Sequence, residues 1–312
     1  MRFFYSLNEH LRGKFGSRIQ KISVHCGFTC PNRDGTKGTG GCFFCNDRAL
    51  YPGYEPGSLK DQILKGMDSA KKRYGAKKFI VYFQSNTNTY SNPGDLYKLY
   101  TLPLSFPEVV GIAIGTRPDC LQDDVLDIIE KISKKTYLWM EYGLQSASEK
   151  TLGKLNRRHT VKDFTVAVQR THQRNISVCA HIILGIPWET RADVFNTVNC
   201  LNEIKIDGVK IHAFHILRDT VAEKWYNNNM VSLLSLSEYA SLAADVIERL
   251  GENVIIHRLT GEAPERFLVA PEWVRNKHVV LKKIKDELEM RNSCQARLFH
   301  DYCDEIYRRG TV

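Results

Sequence analysis

The sequence lacks any long apolar segment. Across its 312 residues there is no run of about 18 apolar residues, so a membrane-spanning helix is excluded. The first 16 residues also lack the apolar core and small-residue cleavage site of a secretory signal peptide. Hydrophobic residues make up 43% and charged residues 25% of the chain, which excludes a disordered or low-complexity polymer. We therefore expect a globular protein of the cytoplasm.

The chain also has few of the residues that form linkers. Only 10 prolines are present, and no segment rich in proline, glycine and serine divides the sequence. No strict repeat of about 20 to 50 residues occurs either. These absences favour one large domain with small appendages. We predict an N-terminal extension over residues 1–18, a core over 19–260 and a C-terminal extension over 261–312.

Negative charge is scarce in the first quarter of the chain. Residues 1–80 contain 15 Lys and Arg but 6 Asp and Glu, whereas residues 81–312 contain 29 of each. The whole net charge of +9 therefore lies in the first 80 residues. This distribution predicts an anionic partner, with nucleic acid among the candidates, although a bias towards solubility explains it equally well.

Cysteine is distributed unevenly as well. Four of the nine cysteines, Cys26, Cys30, Cys42 and Cys45, lie within 20 residues of one another. Because a cytosolic chain rarely keeps structural disulfides, such a group indicates metal or redox chemistry. The other five are typical of small buried hydrophobic residues. These five are Cys120, Cys179, Cys200, Cys294 and Cys303.

Apolar, β-branched runs alternate with segments of helical periodicity along the chain. This alternation predicts parallel strands joined by right-handed crossovers. A doubly wound sheet and a full or partial β/α barrel both satisfy the pattern. Polar residues follow nearly every run, which favours the barrel because barrel active sites are built from that rim. The runs are Ile19–His25, Phe79–Gln84, Val109–Thr116, Tyr137–Gly143, Ile176–Gly185, Val209–Leu217 and Val254–His257.

Capping residues indicate where several helices begin. Ser58, Thr160 and Thr190 are each followed three residues later by an aspartate, which is a capping-box pattern. Beyond residue 271 the alternation of strands and helices stops. Two helical segments, Val279–Met290 and Ser293–Tyr307, predict a C-terminal helical extension.

The four clustered cysteines lie in a glycine-rich segment directly after the first predicted strand. Two residues separate Cys42 from Cys45, a spacing that lets both thiolates face one metal or cluster. Two kinds of site stay open at this point. All four thiolates, including Cys26 and Cys30, would make a zinc site. Three thiolates would instead make an iron–sulfur cluster with one iron open to a substrate.

The segment Gly27–Cys45 reads GFTCPNRDGTKGTGGCFFC and resembles a motif of the radical S-adenosylmethionine (SAM) superfamily. The similar branch contains the elongator catalytic subunit and oxygen-independent coproporphyrinogen oxidase. The resemblance implies a partial (β/α)6 TIM-like barrel with a C-terminal helical extension. It also implies that Cys30, Cys42 and Cys45 ligate three irons of a [4Fe–4S] cluster whose fourth iron binds SAM. Cys26 has no fixed counterpart in the group.

Other residues match the SAM-binding positions of this superfamily. Gln145, in GLQS, resembles the glutamine that reaches the ribose. Arg157, in LNRRHT, resembles the arginine that pairs with the SAM carboxylate. His181 opens a segment similar to the one that closes over the adenosine, and Glu141 is expected to point into the barrel mouth. The resemblance implies that the SAM site also includes the strand-end residues Gln84, Ser85, Asn86 and Thr116.

The resemblance implies a reaction but no specific substrate. A reduced cluster would cleave SAM to a 5′-deoxyadenosyl radical, which would abstract hydrogen from the substrate. Flavodoxin or ferredoxin would supply the electron, and RNA or an anionic metabolite would be the substrate. His212 and His215, predicted on one strand face, and Arg258 are candidates to contact it. The alternative is a zinc or iron–sulfur protein that binds nucleic acid or carries electrons without SAM chemistry.

Overall fold

The computed structural model describes residues 2–50, 57–261 and 263–299. The strands are β1 (Ile19–Val24), β2 (Lys78–Phe83), β3 (Val109–Thr116), β4 (Tyr137–Gln145), β5 (Ser177–Leu184), β6 (Gly208–Ala213), β7 (Ile216–Leu217), β8 (Ile255–Arg258) and β9 (Leu268–Ala270). The helices are α1 (Leu7–Phe15), α2 (Asp47–Leu50), α3 (Leu59–Tyr74), α4 (Pro93–Thr101), α5 (Asp123–Ser133), α6 (Glu149–Lys154), α7 (Val161–His172), α8 (Arg191–Glu203), α9 (Val221–Asn227), α10 (Leu236–Arg249) and α11 (Lys277–Met290). Short 3₁₀ helices span Leu102–Ser105 and Glu272–Arg275.

Seven parallel strands form one curled sheet in the order β1-β2-β3-β4-β5-β6-β8. They correspond to the seven apolar runs, and helices lie on the connections between them. In the described parts of the chain β1 and β8 do not pair with each other, so the barrel is open along one side. The prediction of a partial barrel is confirmed.

The strands are buried on both faces, which explains their nearly continuous apolar sequences. In β2, Phe79, Val81 and Phe83 pack beneath the outer helices. Ile80 and Tyr82, which alternate with them, face the interior of the barrel. The interior is therefore partly filled by side chains, as expected for a barrel of this size.

The N-terminal segment covers the open side of the barrel. The backbone N–H of Ile256 in β8 donates to the carbonyl of Tyr5 at 2.8 Å, and Ser6 forms a parallel bridge with Ile256. Helix α1 then begins at Leu7, capped by the Ser6 side chain, and contacts both β8 and β1. These contacts connect the two edge strands of the sheet. The boundaries proposed at residues 18 and 260 stay predictions.

The sequence suggested one strand over the run Val209–Leu217, but this prediction is wrong. Strand β6 ends at Ala213, and Ile216–Leu217 pairs in antiparallel orientation with Leu268–Ala270 in a separate two-stranded sheet. The prediction that His212 and His215 share one strand face is therefore wrong, because His215 lies in the connection after β6. Short antiparallel pairs between distant segments leave no periodicity that the sequence reveals.

The predicted helix starts are confirmed. The side chain of Ser58 accepts a hydrogen bond from the backbone N–H of Asp61, and complete capping boxes begin α7 at Thr160 and α8 at Thr190. Helix α11 confirms the first C-terminal helical segment. The second is wrong over 293–298, which form turns and irregular backbone, and its remainder lies almost wholly outside the described residues. None of the described helices has the length and apolar character needed to cross a membrane.

Candidate active site

The cysteine loop, residues 25–46, has an irregular backbone that closes on itself. The backbone N–H of Arg33 donates to the carbonyl of Cys30 at 2.7 Å, and its guanidinium donates to the carbonyl of Cys45 at 2.8 Å. Arg33 therefore ties the first ligand position to the last. Gly41 has φ of +79°, and a Cβ there would lie 2.9 Å from the Arg33 guanidinium. The approach of Arg33 therefore requires glycine at this position.

The loop is fastened to the segment that follows α6. The backbone N–H of Phe43 donates to the carbonyl of Leu155 at 3.0 Å. The Asn32 side chain donates to the carbonyl of Asn156 at 2.5 Å, and Asn156 returns a bond to the carbonyl of Gly41 at 2.7 Å. These bonds bring the motif containing Arg157 against the cysteine ligands.

Arg157 is buried between the cysteine loop and β4. Its Nη1 lies 3.4 Å from the Sγ atom of Cys42, and its Nη2 donates to the carbonyl of Gly143 at 2.9 Å. Its Nε donates to Nε2 of His159 at 3.1 Å. Burial and the charge of Arg157 lower the pKa of His159 to about 3, so this imidazole is neutral and can accept that bond. The guanidinium is thus held in a fixed orientation.

The donor set fits an iron–sulfur cluster. The thiols of Cys30, Cys42 and Cys45 are neighbours. Burial raises the pKa of Cys45 to about 11, and the nearby thiols of Cys42 and Cys30 add to this effect. Within the described ranges no three His, Cys, Asp or Glu side chains converge on a single metal ion. In a [4Fe–4S] cluster each cysteine binds a different iron, so three cysteines leave one iron open to another ligand.

Cys26 lies at the edge of the main hydrophobic core. It packs against the main hydrophobic core, and burial raises the pKa of its thiol to about 12. Tyr100 lies nearby, and its hydroxyl donates to the carbonyl of Asn88. Burial and then Cys26 raise the pKa of Tyr100. The absence of a fixed counterpart of Cys26 in the similar group stays the only basis for leaving it out of the proposed ligands.

A cavity of about 240 Å³ opens beside Cys45 at the carboxyl ends of the strands. Its polar lining includes one ligand cysteine together with six side chains that the sequence suggested for SAM or the substrate. Phe44, Ile183, Phe214 and Leu217 form apolar walls. The seven predicted residues are Cys45, Gln84, Gln145, His181, His212, His215 and Arg258.

Two residues after β2 have the conformation that glycine usually provides. Ser85 has φ of +82° and Asn86 has φ of +57°, and Asn86 donates to the carbonyl of Phe28 at 2.7 Å. The turn therefore bends as a glycine-rich turn would, although it contains no glycine. Thr116, at the end of β3, is buried, and its hydroxyl lies 2.6 Å from that of Thr89.

Gln145 ends β4 in a strained conformation. Its φ is +74°, and the register between β4 and β5 shifts at this position. A Cβ at Gly143 would lie 2.6 Å from the Gln145 amide, so the glycine makes room for that side chain. Positive φ at a residue that is not glycine costs free energy and is common where a side chain must be aimed at a ligand. Here the side chain lines the cavity.

Glu141 lies deeper than the cavity, in the interior of the barrel. Its carboxylate accepts a bond from Lys21 at 2.6 Å and a second from Lys210, and Nε2 of His181 lies 2.8 Å away. Burial alone would raise the pKa of Glu141, but Lys21 and Lys210 hold it well below its usual range. The sequence placed Glu141 at the barrel mouth, and the structure shows that its carboxylate is already paired.

The sequence interpretation missed the partners of Glu141. Lys21 and Lys210 each occupy a central position of an otherwise mainly apolar strand. The ammonium of Lys210 also donates to the hydroxyl oxygen of Tyr82 at 3.1 Å. A lysine within such a strand was a usable signal, because lysine is almost never buried without a partner. We name Lys21, Tyr82, Glu141, His181 and Lys210 the lumen cluster.

Basic residues near the ligands are largely neutralised. Lys37 pairs with Asp119 at 2.5 Å, and Arg117 forms two bonds of 2.9 Å to the same carboxylate. Although burial opposes it, the charges of Arg117 and Lys37 lower the pKa of Asp119 to about 2. Arg48 likewise pairs with Asp219 at 2.5 Å. The excess charge of the first 80 residues is thus partly used to anchor the cysteine loop.

Comparison with known proteins agrees with this site. Residues 30–201 match the family model of the Radical SAM superfamily, and residues 206–290 match that of the Radical SAM C-terminal domain. The chain is 38% identical over 300 residues to "Uncharacterized protein YtqA" of Bacillus subtilis, covering 95% of this chain and 92% of that protein. It is 26% identical over 216 residues to a tRNA-2-methylthio-N(6)-dimethylallyladenosine synthase of Thermosipho melanesiensis, covering 65% of this chain and 49% of the synthase.

Solved structures show the same fold. Elp3 of the archaeon Methanocaldococcus infernus superposes with a TM-score of 0.68 at 14% identity, covering 91% of this chain and 67% of Elp3. The partial barrel, the cysteine loop after β1 and the matched family model agree with one another. The chain belongs to the radical SAM superfamily.

Proposed function

We propose that this chain is an enzyme that holds a [4Fe–4S] cluster through Cys30, Cys42 and Cys45 and binds SAM in the cavity beside Cys45. When bound, these groups supply a 5′-deoxyadenosyl radical, which abstracts hydrogen from a substrate. The observation that carries the proposal is the cavity itself, which joins a cluster ligand to Gln145 and His181. A protein that only carried electrons, or held zinc, would have no use for such a pocket.

We assign the recognition of SAM to side chains around this cavity. The fork of Arg157 suits the SAM carboxylate because it can donate two parallel hydrogen bonds. The amide of Gln145 can both donate to and accept from ribose hydroxyls. His181, which Glu141 holds in place, would face the adenosine of bound SAM. The remaining assignments are the strand-end residues Gln84, Ser85, Asn86 and Thr116.

The cavity walls protect a reactive intermediate. Phe44, Phe214 and Leu217 line the side of the cavity next to the cysteine loop. Phe43, in the cysteine loop, packs edge-to-face on Trp188, with ring centres 5.3 Å apart. Apolar walls of this kind exclude water and stray polar groups from the reaction.

We propose an anionic substrate, with RNA favoured over a free metabolite. The similarity to a tRNA-2-methylthio-N(6)-dimethylallyladenosine synthase supports RNA, since the name of that relative specifies tRNA. His212, His215 and Arg258 line the cavity and are assigned to substrate. An anionic metabolite is the second candidate, which the basic residues of the cavity also suit.

The proposed reaction needs an electron from outside the chain. We propose a flavodoxin or ferredoxin as its donor, and a cytoplasmic location, where thiolates stay reduced. The basic residues beside the ligands pair with acids of this chain, so an acidic donor would have to compete for Lys37 and Arg48. Docking should therefore depend strongly on salt concentration.

An anaerobic activity assay tests the proposal. The protein is reconstituted with iron and sulfide, reduced with dithionite and given SAM, and 5′-deoxyadenosine is measured by liquid chromatography. We expect product from the wild type and from Cys200→Ala on the outer helix α8, and at least about 100-fold less from Cys30→Ala. Equal product from Cys30→Ala and wild type would refute the proposal. Adding total tRNA then tests whether RNA changes the product yield.

A further inference from the structure

The lumen cluster contains two lysine ammonium groups and one carboxylate, so one positive charge has no negative charge to balance it within the cluster. Two ammonium groups, Lys21 and Lys210, share the single carboxylate of Glu141. Burial and the charge of Lys210 lower the pKa of His181 to about 4, so His181 adds no charge near neutral pH. The cluster therefore has a net charge of +1 inside the barrel.

Stability alone does not explain this arrangement. Barrels of this kind are usually filled by layers of branched apolar side chains. The Lys210 side chain is 9% exposed and the Glu141 side chain is not exposed at all, so both charges lose most of their hydration. Replacing such a buried set by apolar residues is often neutral or stabilising. Lys21, whose side chain is 18% exposed, adds a second ammonium to the same carboxylate, and a ligand explains this surplus charge better than stability does.

The cluster lies directly beneath the cavity. His181 belongs to both, since it contacts Glu141 and lines the cavity. In the sheet register His181 is the partner of Lys210, and His212 follows Lys210 by two residues on the same face of β6. His212 thus lies one layer above Lys210 in the sheet, at the cavity lining.

His212 has an unused hydrogen-bonding atom at this junction. Its Nε2 is buried and has no hydrogen-bond partner among the residues that the structure describes, and its ring lies 5.2 Å from that of His181. Buried polar atoms without partners are rare in folded proteins and usually mark a missing water, ion or ligand. A neutral imidazole beside an ammonium can donate to an oxyanion together with it.

We propose that the lumen cluster and His212 form a subsite for a small oxyanion, a carboxylate or phosphate carried by the part of the substrate that enters the barrel. This inference rests on the proposed function, because it concerns the substrate of the same cavity. The anion would interact with Lys210 and with Nε2 of His212. One negative charge would balance the surplus of the cluster, so the subsite selects substrates by charge.

Binding of simple anions to the reconstituted protein tests the subsite. The wild type, saturated with SAM, is titrated calorimetrically with inorganic phosphate and separately with acetate, with sodium chloride holding the ionic strength constant. We expect saturable binding of at least one anion. Lys210→Met should weaken it at least about tenfold and His212→Ala by severalfold, whereas Lys210→Arg should restore most of it. Lys285→Met, an exposed lysine of α11, is the matched control and should bind as the wild type does.

Each outcome of this titration decides between alternatives. Binding of phosphate alone identifies a phosphate subsite, binding of acetate alone a carboxylate subsite, and binding of both a general oxyanion subsite. Binding of neither, or equal binding by wild type and His212→Ala, overturns the inference. An anion that displaces SAM occupies the SAM site and overturns it as well. Should Lys210→Met fail to fold, His212→Ala carries the comparison.

The same preparation separates this inference from the proposed function. Failure of the wild type to form 5′-deoxyadenosine refutes the enzyme proposal, whatever the anions do. Formation of 5′-deoxyadenosine without anion binding refutes only the subsite. The two readouts therefore fail independently.

Discussion

The cysteine loop and the lumen cluster are stabilised in different ways. The loop is closed by backbone hydrogen bonds and by short side chains such as Asn32 that bond to carbonyls. The lumen cluster is held by ion pairs between strands, with Lys21 and Lys210 lying 120 and 69 residues from Glu141 in the sequence. A contiguous motif can specify the first arrangement, whereas the second requires the complete barrel. Substitutions in the loop should therefore affect cluster loading, and substitutions in the lumen should affect folding.

Removing the lumen carboxylate should have the largest effect on stability. Glu141→Leu removes the carboxylate that Lys21 and Lys210 share, and we expect the free energy of unfolding to fall by about 3–5 kcal/mol. Urea denaturation of the iron-free protein measures it. Glu108→Leu removes an exposed partner of Lys71 and should cost no more than about 1 kcal/mol. Equal losses in the two variants would contradict the assigned difference between buried and exposed pairs.

Substituting a loop glycine should reduce cluster loading without unfolding the barrel. Gly41→Ala forces a side chain into a left-handed backbone and against Arg33, at a cost of about 1–3 kcal/mol confined to the loop. We expect less than half the wild-type iron per chain after reconstitution, with little change in the unfolding midpoint. Gly13→Ala in α1 meets no atom within 4 Å and should keep its iron while gaining about 0.5–1 kcal/mol. Full iron in Gly41→Ala would show that the loop tolerates a different backbone.

The buried lysine should make stability depend on pH in a defined direction. Burial lowers the pKa of Lys210 to about 8, whereas an unfolded lysine titrates at about 10.4. Between these values the unfolded chain binds more protons, so this lysine makes folding more favourable as pH rises. From pH 7.5 to 9.5 the free energy of unfolding of the wild type should therefore rise by about 1–2 kcal/mol relative to that of Lys210→Met. A difference that stays constant over that range would show that Lys210 is not desolvated as the structure implies.

The exposed end of the loop network should be the least sensitive. Lys37 is 39% exposed, and its ion pair with Asp119 is screened by solvent. We expect Lys37→Ala to lower the free energy of unfolding by no more than about 1 kcal/mol and to keep its iron. Asp119→Asn, which also deprives buried Arg117 of its partner, should cost more. A larger loss of thermal stability in Lys37→Ala than in Asp119→Asn would contradict this prediction and would show that Lys37 anchors the loop.

Local patterns predicted most of the fold and the ligand cysteines. Each strand of the seven-stranded sheet needed only a continuous apolar run, and the helix starts at Ser58, Thr160 and Thr190 needed only a capping residue. Cys42 and Cys45 were recognisable because a chelating pair is contiguous in sequence. These features share a physical cause, since the interactions that form them involve neighbouring residues.

The sequence could not predict features that depend on tertiary contacts. The pairing of β7 with β9 joins two short segments without periodicity. The charge pairing of Glu141 depends on the order of strands in the sheet, so its partners lie far away in the chain. Ser85 adopts the left-handed conformation because its neighbours require it, and serine gives no signal of this. Asn86 did give one, because asparagine tolerates that conformation better than most residues.

Electron paramagnetic resonance of the reduced protein tests the central claim most directly, namely that SAM binds in the cavity beside the three cysteines. The reconstituted protein is reduced, and its spectrum is recorded with and without SAM. We predict the signal of a [4Fe–4S] cluster whose spectrum changes when SAM is added, and a weaker change in Gln145→Ala. A cluster signal that SAM leaves unaltered, or a protein that binds zinc in place of iron, would contradict the account.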